Sequence, residues 1–157
     1  MKNLTNSTID RQSILNNRFA LEKIQKYVGL KGVLFENVYV FTTKMVADFY
    51  EVDPRTIKRY LENHRKELEK NGYTLSNGKQ LKYFKLQFAN DINVPSKTTQ
   101  LGLFNFRAVL NIGMLLTESE NAKILRSKIL DIVIDVVNDK TGGGTKYNKN
   151  STCYILI

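Results

Sequence analysis

Apolar side chains recur along this chain at three- and four-residue intervals in several separate stretches, with short strand-like runs between them. That mixture predicts helices interspersed with small β elements. Phe19, Ala20, Leu21, Ile24, Tyr27 and Val28 mark a helix closing at Gly29, a residue suited to the left-handed position after a helix. The polar segment 10–17 begins or precedes it. Residues 33–35 and 38–41 (Val-Leu-Phe and Val-Tyr-Val-Phe) flank Glu36-Asn37 and predict a short hairpin. Residues 72–75 and 79–86 flank Ser76-Asn77-Gly78 and predict a second, because Asn-Gly tolerates the positive φ of a tight turn. Residues 89–104, with Pro95, Ser96, Thr98 and Thr99, read as a linker. Beyond it a helix runs from about Asn105 through Leu116, and Thr117-Glu118-Ser119-Glu120 has the spacing of a capping box for a last helix, 119–138.

The most legible stretch lies between the hairpins. Val46, Ala47, Phe49 and Tyr50 give one apolar side to a helix over 43–50, capped by Thr42 or Thr43. Tyr50-Glu51-Val52 forms a turn. Asp53 is placed as an N-cap and Pro54 as the first helical residue, where a missing N–H loses nothing. Ile57, Tyr60, Leu61 and Leu68 then define the buried side of a second helix, 54–70. Ala47 is small enough to let the two helices cross closely. This is the pattern of a helix-turn-helix, with Glu51 where glycine is common. The opposite side of the second helix carries Arg55, Thr56, Lys58, Arg59 and Asn63. Arginine forks to guanine or phosphate, lysine supplies charge, and threonine and asparagine reach base edges or phosphates. A basic helix face alone is more often only solvated; the cap, turn, small residue and matched apolar faces together favour DNA reading. Thr43 and Thr56 would orient on phosphates. Lys79 and Lys82, with Lys85, would act from the second hairpin as a wing, or simply keep its edge soluble.

Charge agrees with that placement. The chain has 24 Lys or Arg against 15 Asp or Glu, a net charge of +9. Positions 55–85 hold nine of the basic residues against three acids. Attraction to a polyanion is the simplest consequence. The basic segments do not form one long amphipathic helix with a Trp- or Phe-rich face, and no run of about eighteen apolar residues occurs, so no membrane association is expected.

The segment 38–43 leading into 46–53 (Val-Ala-Asp-Phe-Tyr-Glu-Val-Asp) and 56–61 (Thr-Ile-Lys-Arg-Tyr-Leu) resembles the DNA-binding domain of RhuM-type proteins, within the wider group of bacterial and phage Bro/KilA-like regulators and antirepressors. Residues 104–110 and 115–122 are similar to the second, helical part of such regulators, so the likeness spans roughly residues 30–140. It implies sequence-specific DNA binding in a bacterial or mobile-element setting. Such proteins commonly continue into a C-terminal domain, so a shortened version of one is expected here.

The expected fold is therefore α+β and mostly helical. It comprises a winged helix-turn-helix with an N-terminal helix over 1–88, a linker over 89–104, a helical pair over 105–140 and a flexible tail over 141–157. The last helix is apolar on more than one side, from Ala122, Leu125, Ile129, Ile132, Val133 and Val136 together with Ile124, Leu130, Ile134 and Val137. It is either central to the fold or the interface of a homodimer. Double-stranded DNA is the expected partner, in a transcriptional regulator; a protein-interaction module of antirepressor type, working through the apolar last helix, is the alternative. Catalysis is not expected, nor is a cofactor or bound metal. His64 is the one histidine, and no His/Cys/Asp group has ligand spacing. The run Gly142-Gly143-Gly144 lacks the Lys-Ser/Thr of a phosphate loop. The single Cys153 fits a reducing cytoplasm, and the polar N-terminus does not resemble a signal peptide.

Overall fold

The chain is described from a computed structural model, which covers residues 3–88, 94 and 97–141. Of the expected tail over 141–157, Thr141 ends the last helix and residues 142–157 lie outside the described residues. The fold is α+β, with a four-stranded antiparallel sheet and eight α-helices among the described residues. It divides into two units, one of residues 31–110 and one made from residues 1–30 together with 111 onward.

The sheet belongs to the 31–110 unit. Strands β1 (Val33–Phe35) and β2 (Val38–Thr42) form the expected hairpin, with Val33 opposite Val40 and Phe35 opposite Val38. Glu36 and Asn37 both take positive φ (50° and 67°), as a two-residue turn matching strand twist requires. Helix α3 (Thr43–Tyr50) follows without a gap, and Thr42 Oγ1 accepts from the Met45 amide at 3.2 Å. Helix α4 (Pro54–Asn63) packs against α3, and α5 (Arg65–Lys70) follows. Strand β3 (Thr74–Asn77), helix α6 (Gly78–Phe88) and strand β4 (Gln100–Phe104) complete the unit with the start of α7 (Phe106–Leu115). The strand order is β1-β2-β4-β3.

Within the elements, the structure departs from the sequence expectations at four places. No wing hairpin follows Asn77: residues 78–88 are helical, and β3 pairs with β4 instead, Leu75 opposite Gly102. The reason is periodicity. Leu81, Phe84 and Phe88 recur at three and four residues, and Phe84 packs with Phe35, Val40 and Leu103 on one face of the sheet. A strand would have put Leu81 on the face opposite Phe84 and Phe88, whereas all three lie on one side of a helix. Gly78 does take positive φ (58°), but it opens a helix. Second, the expected linker 89–104 contains β4. Leu101 and Leu103 supply apolar side chains to the same cluster, so the segment has a buried face that its polar start concealed. Third, the expected helix 54–70 is interrupted at His64 (φ −130°, ψ 30°). Positions 62–66 carry no apolar side chain, so Leu61 and Leu68 anchor two separate helices. Fourth, Ser119 rather than Thr117 caps the last helix, accepting from the Ala122 amide at 3.0 Å; Thr117 Oγ1 instead donates to Glu118 at 3.2 Å.

The other unit is helical. A 3-10 turn (Leu4–Asn6) leads into α1 (Thr8–Leu15) and α2 (Arg18–Val28), which ends at Gly29 with φ 61°. The side chain of Arg11 is buried and donates to Leu4 O at 2.8 Å, Thr5 O at 3.1 Å and Thr8 Oγ1 at 3.1 Å. The first two satisfy carbonyls left over by the turn. Helix α8 (Glu120–Thr141) packs on α2. Its Ala122, Leu125, Ile129, Ile132 and Val136 are buried, whereas Ile124 and Val137 are exposed. Arg126 donates to Gly113 O at 2.9 Å and Leu116 O at 2.5 Å, placing a cation on the last carbonyls of α7. The N-terminal helices thus group in one unit with residues from 111 onward, whereas the sequence reading had placed them in a domain over 1–88.

The helical assignment of residues 78–88 has a direct test. Phe84→Ala should destabilise the protein by about 3–5 kcal/mol, whereas Leu86→Ala, on the exposed side of α6, should change stability by less than about 0.5 kcal/mol. Chemical denaturation measures both; equal losses would contradict a helix with Phe84 inward and Leu86 outward.

Candidate nucleic-acid interface

The site begins with what fixes the angle between α3 and α4. At the end of α3, Val52 N–H donates to Ala47 O at 3.0 Å and Glu51 N–H to Asp48 O at 3.2 Å. Glu51 sits in the left-handed region (φ 55°, ψ 48°). A non-glycine residue there is uncommon, and this closure around it is a Schellman-type stop. Ala47, Val46 and Tyr50 are buried behind the turn, and Tyr50 OH donates to Val109 O at 2.7 Å. One hydroxyl thereby ties the end of α3 to the first turns of α7.

Asp53 starts α4. Its Oδ1 accepts from the Arg55 amide at 2.8 Å, and Pro54 occupies the first turn. Ile57 and Leu61 are buried on one side. The other side presents Arg55, Lys58, Arg59 and Asn63, all exposed, with Thr56 half-buried at its margin. Spacings of three and four residues put these on one face, as expected from the sequence. Glu62 is exposed on the same face. Its spacing from Lys58 and Arg59 was readable in the sequence, but an acid was not expected among the contacts.

Each cation of the face has its own setting. The Arg55 guanidinium meets the Asp53 carboxylate through Nε to Oδ1 and Nη2 to Oδ2, both at 3.3 Å. The Arg59 guanidinium lies 5.5 Å from the centre of the Tyr60 ring, a cation–π distance. Tyr60 in turn stacks on His64, ring centres 6.1 Å apart. On α3, Lys44 pairs with Asp48 at 2.7 Å. Thr43 is half-buried in the first turn of α3, where Thr42 serves as the cap.

Lys79 and Lys82 are exposed, but they stand on α6 and not on a wing. Lys85 donates to Thr98 O at 2.6 Å and lines an open cavity of about 290 Å³ with Lys82, Thr98 and Thr99. The structure therefore brings Arg55, Thr56, Lys58, Arg59 and Asn63 together on α4, keeps Thr43 on the neighbouring helix, and places the two lysines on a different element. Sequence reasoning treated Asp53 as a cap alone and missed its side-chain contact with Arg55. The signal was present, since an acid two residues before an arginine at a helix start is within reach of it.

Among the described residues no group of His, Cys, Asp and Glu is arranged to hold a metal ion, and no helix is long and apolar enough to cross a membrane. Compared with protein-family models, curated proteins and solved structures, the chain shows no significant match.

The amide of Arg55 first, and then its side chain, hold the Asp53 carboxyl below the ordinary carboxylate range. A carboxyl depressed in the folded state contributes stability above its unfolded pKa and loses it as pH falls through the folded value. Between about pH 5 and pH 2 the urea midpoint of wild type should therefore fall more than that of Asp53→Asn, whose amide oxygen caps without titrating. Parallel curves for the two proteins would show that the carboxylate adds nothing to the cap.

Proposed function

We propose that this protein is a sequence-specific double-stranded DNA-binding regulator that inserts α4 into the major groove, with α3 crossing behind it. The observation that carries the reading is the α3–α4 pair. Its turn is closed by backbone hydrogen bonds, one face of α4 is anchored by Ile57 and Leu61, and the outward face displays Arg55, Lys58, Arg59 and Asn63. A helix-turn-helix reads bases with the first turns of its second helix. The break at His64 limits the reader to 54–63, shorter than the sequence predicted. The net charge of +9 supplies long-range attraction to the duplex. The resemblance to RhuM-type and Bro/KilA-like regulators supports the same reading and extends it to a bacterial or phage setting, and the single Cys153 fits the cytoplasm. A winged form of the motif is not part of it, because α6 stands where the wing was expected. Nor does the reading require a homodimer: the apolar stripe of α8 is already buried within its own chain.

A second reading, a protein-interaction module of antirepressor type, draws on a different surface from the one the sequence suggested. Leu34, Val38 and Tyr39 on the β1–β2 hairpin are each at least half exposed. The two readings separate by salt. Phosphate contacts release counterions, so DNA affinity should fall steeply between about 50 and 200 mM salt, whereas apolar docking should not.

The test is selection from a random duplex library with the purified chain, followed by titration of the selected site. Arg59→Ala should weaken binding by about 1–3 kcal/mol and relax one position if the arginine reads a base. Lys58→Ala should weaken all duplexes alike and lower the salt slope by about one unit. Equal, weak affinity of wild type for every sequence would remove the claim of specificity.

A further inference from the structure

Resting on the DNA-binding reading above, we propose that Asp53 is a positioning residue for base recognition: its carboxylate holds the Arg55 guanidinium side-on, so that the outer edge of that group faces a guanine. The argument is geometric. Asp53 engages Nε and Nη2, one long edge of the guanidinium, through both carboxylate oxygens at 3.3 Å. Both protons of Nη1 and the outer proton of Nη2 remain directed away from the carboxylate. That remaining edge is the fork that matches guanine O6 and N7.

The pair stands in the first turn of α4, where a recognition helix meets base edges. The Arg55 side chain is 90% exposed and Asp53 52% exposed, so the fork is open to a ligand and the ion pair itself adds little to folding. Asp53 is also fixed at its other end. The same Oδ1 that meets Nε accepts from the Arg55 amide at 2.8 Å, so the cap bond holds the carboxylate plane in place. One side chain thus performs two tasks, ending the orphan amide of the helix and orienting the arginine. The negative charge has a further effect. It offsets part of the attraction of Arg55 for any phosphate, which weakens binding to unrelated sequences while leaving the guanine contact intact. An arginine without the carboxylate would be a mobile cation, attracted to all duplexes.

The test compares wild type, Asp53→Asn, Asp53→Ser and Arg55→Lys on the duplex that wild type selects from a random library. Asparagine and serine both cap helices, so either can carry the comparison if the other fails to fold; circular dichroism and thermal midpoints confirm the fold. In wild type, replacing one guanine of the selected site should weaken binding about tenfold or more, and Arg55→Lys should abolish that preference. In Asp53→Asn and Asp53→Ser the penalty should shrink to about threefold or less, with affinity for an unrelated duplex unchanged or higher. A merely structural cap would not alter which base is preferred. Retention of the full guanine penalty in a folded Asp53 variant overturns the inference and leaves the DNA-binding reading standing. A wild type that selects no sequence overturns that reading, and this inference with it.

Discussion

Strand β4 is the constraint on which the 31–110 unit depends. It is hydrogen-bonded on both sides, to β2 through Phe41–Phe104 and Thr42–Leu103 and to β3 along residues 74–77. Thr42 is at once the last paired residue of β2 and the N-cap of α3. The position of α3 is therefore set by pairing with a strand some sixty residues later in the chain. Through α3 the constraint passes to the Glu51 turn and to α4. At its far end β4 runs into Asn105, whose Oδ1 accepts from the Ala108 amide at 2.9 Å and starts α7. Gly102, in the middle of β4, leaves no room for a β-carbon because the Tyr73 ring and hydroxyl lie against it. The packing of Tyr73 on Phe104, ring centres 4.9 Å apart, follows from that close approach.

Against this frame the outward face of α4 is a local feature on a rigid support. Ile57, Leu61 and the buried Tyr50 hold the inner side of α4, so its exposed charged residues lie outside the core. Surface ion pairs contribute little stability in water, so Asp53 and Glu62 on or beside a basic face matter more for what that face binds. Under the proposed DNA-binding function, acids among the cations would reduce indiscriminate attraction to phosphate and let the arrangement of donors, rather than total charge, discriminate between duplexes.

What the sequence made legible was whatever depended on neighbours. The Glu36-Asn37 turn, the Asp53-Pro54 helix start, the Gly29 stop and the burial of Ile57 and Leu61 are each determined within a few residues. What it concealed depended on distant partners. Asn77-Gly78 has the local chemistry of a hairpin turn, yet the residues after it are claimed by the cluster of Phe35, Val40 and Leu103, which the spacing of Leu81, Phe84 and Phe88 fits only as a helix. Residues 100–104 look like the end of a loop until the two flanking strands are known. The face of α4 was legible because helical spacing alone determines it. The bond between Asp53 and Arg55 was legible only in part: the spacing puts the two side chains within reach, but their pairing depends on rotamers that a spacing rule does not specify.

The division of the chain has a consequence for how it comes to be folded. Helices α1 and α2 precede the 31–110 unit in the chain, but α2 packs on α8, which follows it. The 31–110 unit lies wholly between them in the chain. During synthesis, therefore, the sheet and its helices can assemble while the earlier helices still await their partner. Ala20 and Ile24 on α2 are fully buried in the finished protein, and part of the packing on their helix comes from α8. The apolar face of α2 that meets α8 therefore waits, in chain order, while the whole 31–110 unit is made.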